Sequence, residues 1–250
     1  MFSNKIKVMA LASMLGASSA FAGPISGSPH DLSAMNGTND NGEICVYCHT
    51  PHAANTAFSG APLWNKATPS GTFVMYGATV AGQAGSTIAG TATEAAPASP
   101  SLACLSCHDG VSAIDSIVNA PGSGMNAIAG ANDINSLAID YGGNIGGTPG
   151  TTTAGDPDLS NDHPVSIVYT PGTAGLRPVA TVLTTLGDNA AWLGATTVED
   201  LLRGAGNDQV ECGSCHDPHN GGKTQGTDTE VNFLRHTNAN SYLCLGCHDK

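Results

Sequence analysis

Four short motifs contain all eight cysteines of the chain. They read CVYCH (45–49), CLSCH (104–108), CGSCH (212–216) and CLGCH (244–248). C-x-x-C-H is the attachment signal for c-type haem. Two thiols three positions apart in a tight turn can add to the two vinyl groups on one porphyrin edge, and the histidine that follows can ligate the iron. The sequence therefore predicts four covalently bound c-type haems.

The motifs assign a first set of ligands. The predicted thioether residues are Cys45, Cys48, Cys104, Cys107, Cys212, Cys215, Cys244 and Cys247. The predicted proximal iron ligands are His49, His108, His216 and His248. Four disulfides or C-x-x-C zinc sites are the alternatives for an exported chain. Neither alternative explains why a histidine follows every cysteine pair with no cysteine left over.

The chain also contains an internal duplication. The first and third motifs continue as CVYCHTPH and CGSCHDPH, and the second and fourth lie in SLACLSCHD and SYLCLGCHD. A lone histidine precedes each half, in SPHDLS and NDHPVS. This repeat predicts one tetrahaem domain, residues 23–250, built from two dihaem halves at about 23–140 and 156–250.

The duplication selects the remaining axial ligands. Of the nine histidines, five are not proximal: His30, His52, His163, His219 and His236. His236 has no counterpart in the first half, so we expect it to be the spare. The predicted distal ligands are His30, His52, His163 and His219. Ligation by a methionine is the less favoured alternative, since the three methionines of the mature chain (Met35, Met75 and Met125) stand in no repeated position.

Spacing also constrains the pairing of ligands. His219 follows His216 by three residues, past Pro218, and cannot reach the opposite face of the same iron. It is therefore expected to bind a different haem. The simplest pairing stays within each half: His52 on the second haem and His219 on the fourth, with His30 on the first and His163 on the third.

Residues 1–22, MFSNKIKVMALASMLGASSAFA, have the features of a secretory signal peptide that is removed on export. Their apolar run is too short to cross a bilayer, and no later segment is long and apolar enough. Removing these 22 of 250 residues leaves 228, with six basic residues against twenty acidic ones, a net charge of −14. This charge disfavours binding to nucleic acid and to anionic membranes.

Aromatic residues are only 5% of the chain, so an ordinary apolar core is unexpected. We expect a mostly irregular fold with short α-helices and little or no β-structure, wrapped around a stacked haem chain. Short helices are predicted at the C-x-x-C-H motifs, and another over 196–206, with a capping box of Thr196 and Glu199 and a stop at Gly204. The small-residue segments 78–101 and 142–156 are either linkers or surface loops.

Two imidazoles on each iron leave no open coordination position, which favours electron transfer over catalysis at the metal. Histidine in place of methionine also lowers the reduction potential. With 228 residues for four haems, 57 residues each, the rings must lie close together. The sequence therefore predicts an electron-transfer protein and not an enzyme.

Through SPHDLS, CVYCHTPH, CLSCHD, NDHPVS, CGSCHDPH and CLGCHD, the chain resembles the doubled C-x-x-C-H multihaem cytochromes of metal-reducing bacteria. Within them it is similar to the tetrahaem outer-surface cytochromes that polymerise into extracellular nanowires. The resemblance implies bis-histidine haems in a continuous stack, end-to-end assembly with copies of itself, and electron exchange with other cytochromes and extracellular acceptors. It also implies that one haem takes a histidine from the next subunit, and His30, eight residues into the mature chain, is the expected donor.

Two other functions stay open at this point. The first is a monomeric carrier in the periplasm or at the outer surface, which the composition does not exclude. The second is a multihaem reductase of a small oxyanion, which would need a five-coordinate haem. The supply of distal histidines argues against the reductase.

Overall fold

The computed structural model describes residues 25–32, 44–69, 71–109, 117–119, 158–173, 175–220 and 233–249. Several sequence predictions lie outside these ranges: the signal peptide at 1–22, the segment 142–156, and the two methionines Met35 and Met125. All eight cysteines and all nine histidines lie within them.

Regular secondary structure in the described residues is short. The α-helices are α1 (Ser99–His108), α2 (Cys212–Cys215) and α3 (Tyr242–Leu245), and the strands are β1 (Ile167–Val168) and β2 (Gln209–Val210). Single 3-10 turns occur at Ile44–Tyr47, Leu183–Thr185, Glu199–Leu201 and Ala239–Ser241. In the part of the chain that the structure describes, no helix has the length and apolar character needed to cross a membrane.

Backbone pairing occurs within the second half, between β1 and β2, and also between the two sequence halves. β1 and β2 pair antiparallel, with Ile167 opposite Val210 and Val168 opposite Gln209. Isolated bridges then tie first-half residues to second-half ones, Thr93 to Ile167 and Val74 to Asp158. The two halves are therefore connected by backbone bridges.

A helical turn is present at each C-x-x-C-H motif, as predicted. The first motif begins in the 3-10 turn Ile44–Tyr47, the second ends α1, the third contains α2, and the fourth begins in the last two residues of α3. In three motifs the backbone leaves the turn at the proximal histidine and forms one β-bridge: His49 with Trp64, His216 with Leu234, and His248 with Leu176. Each bridge fixes the position of the backbone from which the histidine side chain extends.

Helix α1 starts where local sequence and tertiary contacts agree. Pro100 stands in its first turn, where a missing N–H costs nothing. Ala98 precedes the helix without a capping side chain of its own, and its N–H donates to Ser166 Oγ at 2.7 Å. A second-half serine thus satisfies the start of the helix that carries the second motif.

The apolar core of the described residues is divided into small clusters. The largest surrounds Tyr169, Leu183, Trp192, Val198, Leu201 and Leu202. A second contains Phe73, Met75, Leu105 and Leu159, and a third contains Val46 and Tyr47. Met75 is only 1% exposed and packs among these apolar side chains, so it serves the core.

The predicted helix over 196–206 is wrong. Only Glu199–Leu201 is helical, as one 3-10 turn, and no side chain of Thr196 caps it. Instead, Asp200 accepts hydrogen bonds from the backbone N–H groups of Thr196 and Thr197, both at 2.9 Å. The chain then pairs Arg203 with Gln209, through N–H···O bonds of 2.8 and 2.9 Å, and so leaves the helical path. Gly204 has a φ of 83°, which suits the turn that follows.

The segment 78–101 is a hydrogen-bonded surface loop, the second of its two proposed interpretations. Gly85 and Thr93 exchange two hydrogen bonds, of 2.7 and 3.1 Å, and the Thr87 N–H donates to Thr91 O at 2.9 Å. Ile88 at its tip is 98% exposed. The last residues of the segment enter α1.

We predict that Asp200→Ala lowers the free energy of unfolding by about 1 kcal/mol, because the carboxylate accepts hydrogen bonds from two amide groups that precede the 3-10 turn. These hydrogen bonds hold the pKa of Asp200 below its usual value. The stabilisation is therefore present above about pH 4 and is lost as the pH falls through the lowered pKa.

Denaturant unfolding of wild type and variant from neutral pH to about pH 3 measures this difference. The control is Asp208→Ala, because the exposed Asp208 side chain has no hydrogen bond within the described residues. A difference that persists unchanged in acid would contradict the capping role of Asp200.

Candidate haem-attachment and axial-ligand site

The thiols of the four motifs lie in series. All eight cysteines are free thiols. Cys107 of the second motif acts electrostatically on Cys48 of the first, and Cys104 of the second shares a hydrogen bond with Cys212 of the third. Cys215 of the third motif interacts in turn with Cys244 of the fourth. The structure therefore brings the four attachment motifs together in sequence order, with α1 packed against α2.

Burial controls the chemistry of these thiols. It raises the pKa of Cys48 and of Cys247 to about 12, and that of Cys215 to about 11. The Cys104–Cys212 hydrogen bond raises the pKa of the first thiol and lowers that of the second. In the folded chain most of these groups are protonated and poorly nucleophilic at neutral pH.

Six of the nine histidines form three ring pairs. The centroid distances are 6.0 Å for His30–His108, 6.1 Å for His49–His219 and 6.3 Å for His163–His248. Each pair joins one predicted proximal ligand to one predicted distal ligand.

These separations fit two imidazoles on opposite sides of one metal ion. Metal–imidazole bonds of about 2 Å place the two ligating nitrogens about 4 Å apart and the two ring centroids about 6 Å apart. The three observed distances, 6.0 to 6.3 Å, agree with that requirement. Each of the three pairs could therefore hold haem iron between two imidazoles.

The pairing differs from the one expected from spacing. His30 lies beside His108 and not His49, His163 lies beside His248 and not His216, and His219 lies beside His49 and not His248. The sequence could not reveal this, since a repeat fixes equivalent residues but not which loops meet in space. The expectation of two self-contained halves is corrected as well, because His219 of the second half meets His49 of the first.

Proline carbonyls orient three of the paired rings, a feature that sequence reasoning missed. Nδ1 of His49 lies 2.8 Å from Pro62 O. Nδ1 of His163 lies 3.0 Å from Pro164 O, and Nδ1 of His30 lies 3.3 Å from Pro218 O. In the tautomer that donates these hydrogen bonds, Nε2 keeps its lone pair and is free to ligate a metal. Pro164 directly follows His163, and Pro218 lies in HDPH (216–219). This closeness to histidine is the feature by which the sequence could have indicated these two prolines.

His30 is the most strongly perturbed of the paired histidines. Burial, followed by the nearby His108, lowers its pKa to about 4. Its ring stacks on Phe233, with a centroid distance of 4.1 Å and an interplanar angle of 22°. The imidazole is therefore neutral at physiological pH, which is the form that binds metal.

His52 and His216 are left over from the three pairs. Both are exposed, and neither has a ring contact among the described residues. His52 stands on an anchored loop, because its carbonyl oxygen accepts hydrogen bonds from Thr50 Oγ1, at 3.1 Å, and from Asn119 Nδ2. Partial burial lowers the pKa of the His216 imidazole, and the nearby His108 lowers it further.

His236 is placed as a structural residue. Its ring is buried and stacks on Trp192, with a centroid distance of 4.6 Å. Nε2 lies 3.3 Å from Asp188 Oδ1, and Nδ1 lies 3.3 Å from Thr237 O. Both ring nitrogens therefore face protein oxygens.

A buried glutamate joins the second and third motifs, and sequence reasoning missed it. Glu211 is 1% exposed and accepts hydrogen bonds through Oε2 from Ser101 of α1 and from Ser166, the latter at 3.1 Å. Its N–H donates to Ser214 Oγ of α2 at 3.0 Å. Burial raises the pKa of the Glu211 carboxyl group. This residue directly precedes a cysteine, which made it unremarkable in the sequence.

Comparison with known proteins leaves the functional assignment to the motifs and their geometry. No protein-family model matches the sequence, and no curated protein matches it. Among the described residues there is no group of three or more histidine, cysteine or acidic side chains placed to hold a metal ion. The histidines instead converge in pairs.

We predict that Gly246→Ala destabilises the fourth motif. A Cβ atom at Gly246 would overlap the indole ring of Trp192, which is itself buried against His236. Overpacking of this kind costs about 1–3 kcal/mol. The unfolding midpoint of the variant should fall accordingly.

The matched control is Gly213→Ala in the third motif. A Cβ atom there would lie 3.7 Å from Arg203 Nε, which is an ordinary contact. The loss of glycine freedom should leave stability unchanged or raise it by up to about 1 kcal/mol. Equal effects of the two substitutions would contradict the packing of Trp192 on Gly246.

Proposed function

We propose that this protein transfers electrons through four covalently bound, bis-histidine c-type haems, and that copies of it polymerise into an extracellular conductive filament. The observation that carries the proposal is the set of three imidazole pairs at the separation required by one metal ion. When bound, haem iron supplies reversible one-electron exchange. On this proposal the chain is a small multihaem cytochrome whose irregular backbone wraps a stacked haem chain.

The paired histidines determine the class of chemistry. An imidazole on each face leaves no coordination position for a substrate, which favours electron transfer over catalysis. Hydrogen bonds from Nδ1 to backbone carbonyls hold His30, His49 and His163 in fixed orientations. Fixed axial ligands limit rearrangement when the charge on the metal changes, which is what an electron carrier needs.

The serial order of the motifs supports a continuous path. Cys104 and Cys212 of motifs two and three share a hydrogen bond, and electrostatic interactions link cysteines of motifs one and two and of motifs three and four. Glu211 and the two serines that donate to it lock the middle junction between α1 and α2. These interactions support a row of haems in the same order as their motifs along the chain.

Polymerisation follows from the one ligand pair that crosses between the halves. His219 of the second half pairs with His49, the proximal ligand of the first motif. By the same rule, His52 in the first half of the next subunit pairs with His216, the proximal ligand of the third motif. Within one chain His52 and His216 make no ring contact among the described residues, and both are exposed. One unmatched donor and one unmatched acceptor form a head-to-tail interface, which builds open filaments.

This arrangement reassigns the shared ligand. His30 was the donor expected from the resemblance, but its ring lies against His108 and Phe233 of its own chain. The exposed His52, on a loop held by Asn119, takes that role in the present proposal.

The proposed location is the outer cell surface, after export with loss of residues 1–22. The partners are copies of the same chain, other cytochromes, and extracellular electron acceptors. A net charge of −14 on the mature chain suits neither nucleic acid nor anionic membranes as partners.

One observation favours a second candidate function. In an isolated chain, His216 lacks a distal partner among the described residues. A haem at the third motif would then keep one position open, as a reductase of a small oxyanion requires. A monomer with a stable high-spin haem and turnover of an oxyanion would favour this alternative, and a long-lived monomer without turnover would favour a simple carrier.

We predict that the purified mature protein carries four thioether-linked haems and shows a wholly low-spin ferric spectrum in its assembled form. Intact-mass spectrometry counts the haems, and electron paramagnetic resonance reports the axial ligands. Fewer than four haems, or a high-spin signal in the assembled form, would contradict the proposal.

We predict that His52→Ala abolishes filaments and leaves one haem in four high-spin, because the ligand for His216 of the neighbouring copy is lost. Electron microscopy and the same spectroscopy measure both effects. Thr56→Ala, an exposed residue of the same loop, is the control and should assemble normally. Substoichiometric His52→Ala mixed with wild type should shorten filaments, since such a chain accepts a neighbour at one end only. Normal filaments of His52→Ala would exclude this ligand exchange.

A further inference from the structure

A fully buried lysine lies at the junction of the first two attachment motifs. Lys66 is 1% exposed, although lysine is almost never fully buried in proteins. The duplication provides no equivalent residue, and the proposed electron transfer has so far given it no role. A buried charge of this kind needs a compensating environment or a function.

The segment that carries Lys66 is wedged between the two motifs. Trp64 pairs its backbone with His49 of the first motif and donates from Nε1 to Ser106 Oγ of the second, at 3.1 Å. Asn65, 0% exposed, donates its N–H to Cys48 O at 2.8 Å and its Nδ2 to Val46 O at 2.7 Å. Lys66 therefore has little freedom to move its charge away.

The lysine side chain acts on a cysteine of each motif. It makes a side-chain hydrogen bond to Cys107 of the second motif, and its charge also acts on Cys48 of the first. The carboxylate of Asp109 also acts on Cys107, in the opposite direction and more weakly.

We infer that Lys66 is a tuning residue that raises the reduction potentials of the two haems attached at Cys45–His49 and Cys104–His108 above those of the other two. This inference rests on the proposed haem function. A thioether sulfur is neutral, so attachment of the haems leaves the lysine charge in place beside both porphyrin edges. A nearby positive charge stabilises the reduced form of each iron, which carries one positive charge fewer.

The expected size follows from electrostatics. A unit charge about 10 Å from an iron, at an effective dielectric constant of about 20, changes the one-electron reduction equilibrium roughly tenfold. A tenfold change corresponds to about 59 mV. Such a difference would set a downhill direction between the two ends of the haem chain.

The experiment compares three variants of the full mature protein by haem counting and by spectroelectrochemical titration. Lys66→Met keeps the length of the side chain and removes its charge. It should retain four haems and move half of the titration amplitude to lower potential by about tenfold in equilibrium constant, or about 59 mV. Lys66→Arg keeps the charge and should leave the curve near that of wild type. Asp109→Asn removes the opposing charge and should move the same half of the amplitude to higher potential.

Each outcome decides the matter. A Lys66→Met titration that overlays wild type overturns the inference, as does loss of haems in both Lys66→Met and Lys66→Arg, since the site would then need only the shape of lysine. Loss of haems in Lys66→Met but not in Lys66→Arg supports a required cation at this junction. If the wild-type protein carries no haem, the proposed function itself fails, and the haem count reports that separately.

Discussion

Three pairs of histidine rings are held at centroid separations from 6.0 to 6.3 Å, and this spacing is the constraint that much of the described structure serves. To meet it, turns distant in sequence must be held at fixed spacing without a large apolar core. The short β-bridges at the proximal histidines and the proline carbonyls at Nδ1 provide that spacing.

The halves of the duplicated sequence interlock where this constraint crosses between them. His219 reaches His49, and Glu211 accepts hydrogen bonds from Ser101 and Ser166 at the contact of α1 with α2. Burying a carboxyl group is unfavourable unless it is hydrogen-bonded, so these serines are required as much as the glutamate. Second-half residues thus contact first-half residues at both of these places.

The sequence predicted which residues belong to the site better than it predicted which histidines pair with each other. Of the eight histidines that C-x-x-C-H spacing and the repeat select, six form ring pairs, and His52 and His216 do not. The repeat also sets His236 apart, and the structure shows it buried against Trp192. Pairing depends on which loops meet in space, and a repeat carries no such information. The helix predicted over 196–206 failed for a similar reason, because Asp200 and the Arg203–Gln209 bridge are tertiary choices that override local propensity.

The buried ionisable residues differ between the first two junctions of motifs. Lys66 is buried at the first junction of motifs, and Glu211, whose carboxyl pKa is raised by burial, is buried at the second. Glu211 is a buried acid and Lys66 a buried base, so two junctions that are alike in motif sequence differ in the ionisable residue that each encloses. The residues between the motifs, and not the motifs themselves, therefore distinguish the four C-x-x-C-H sites.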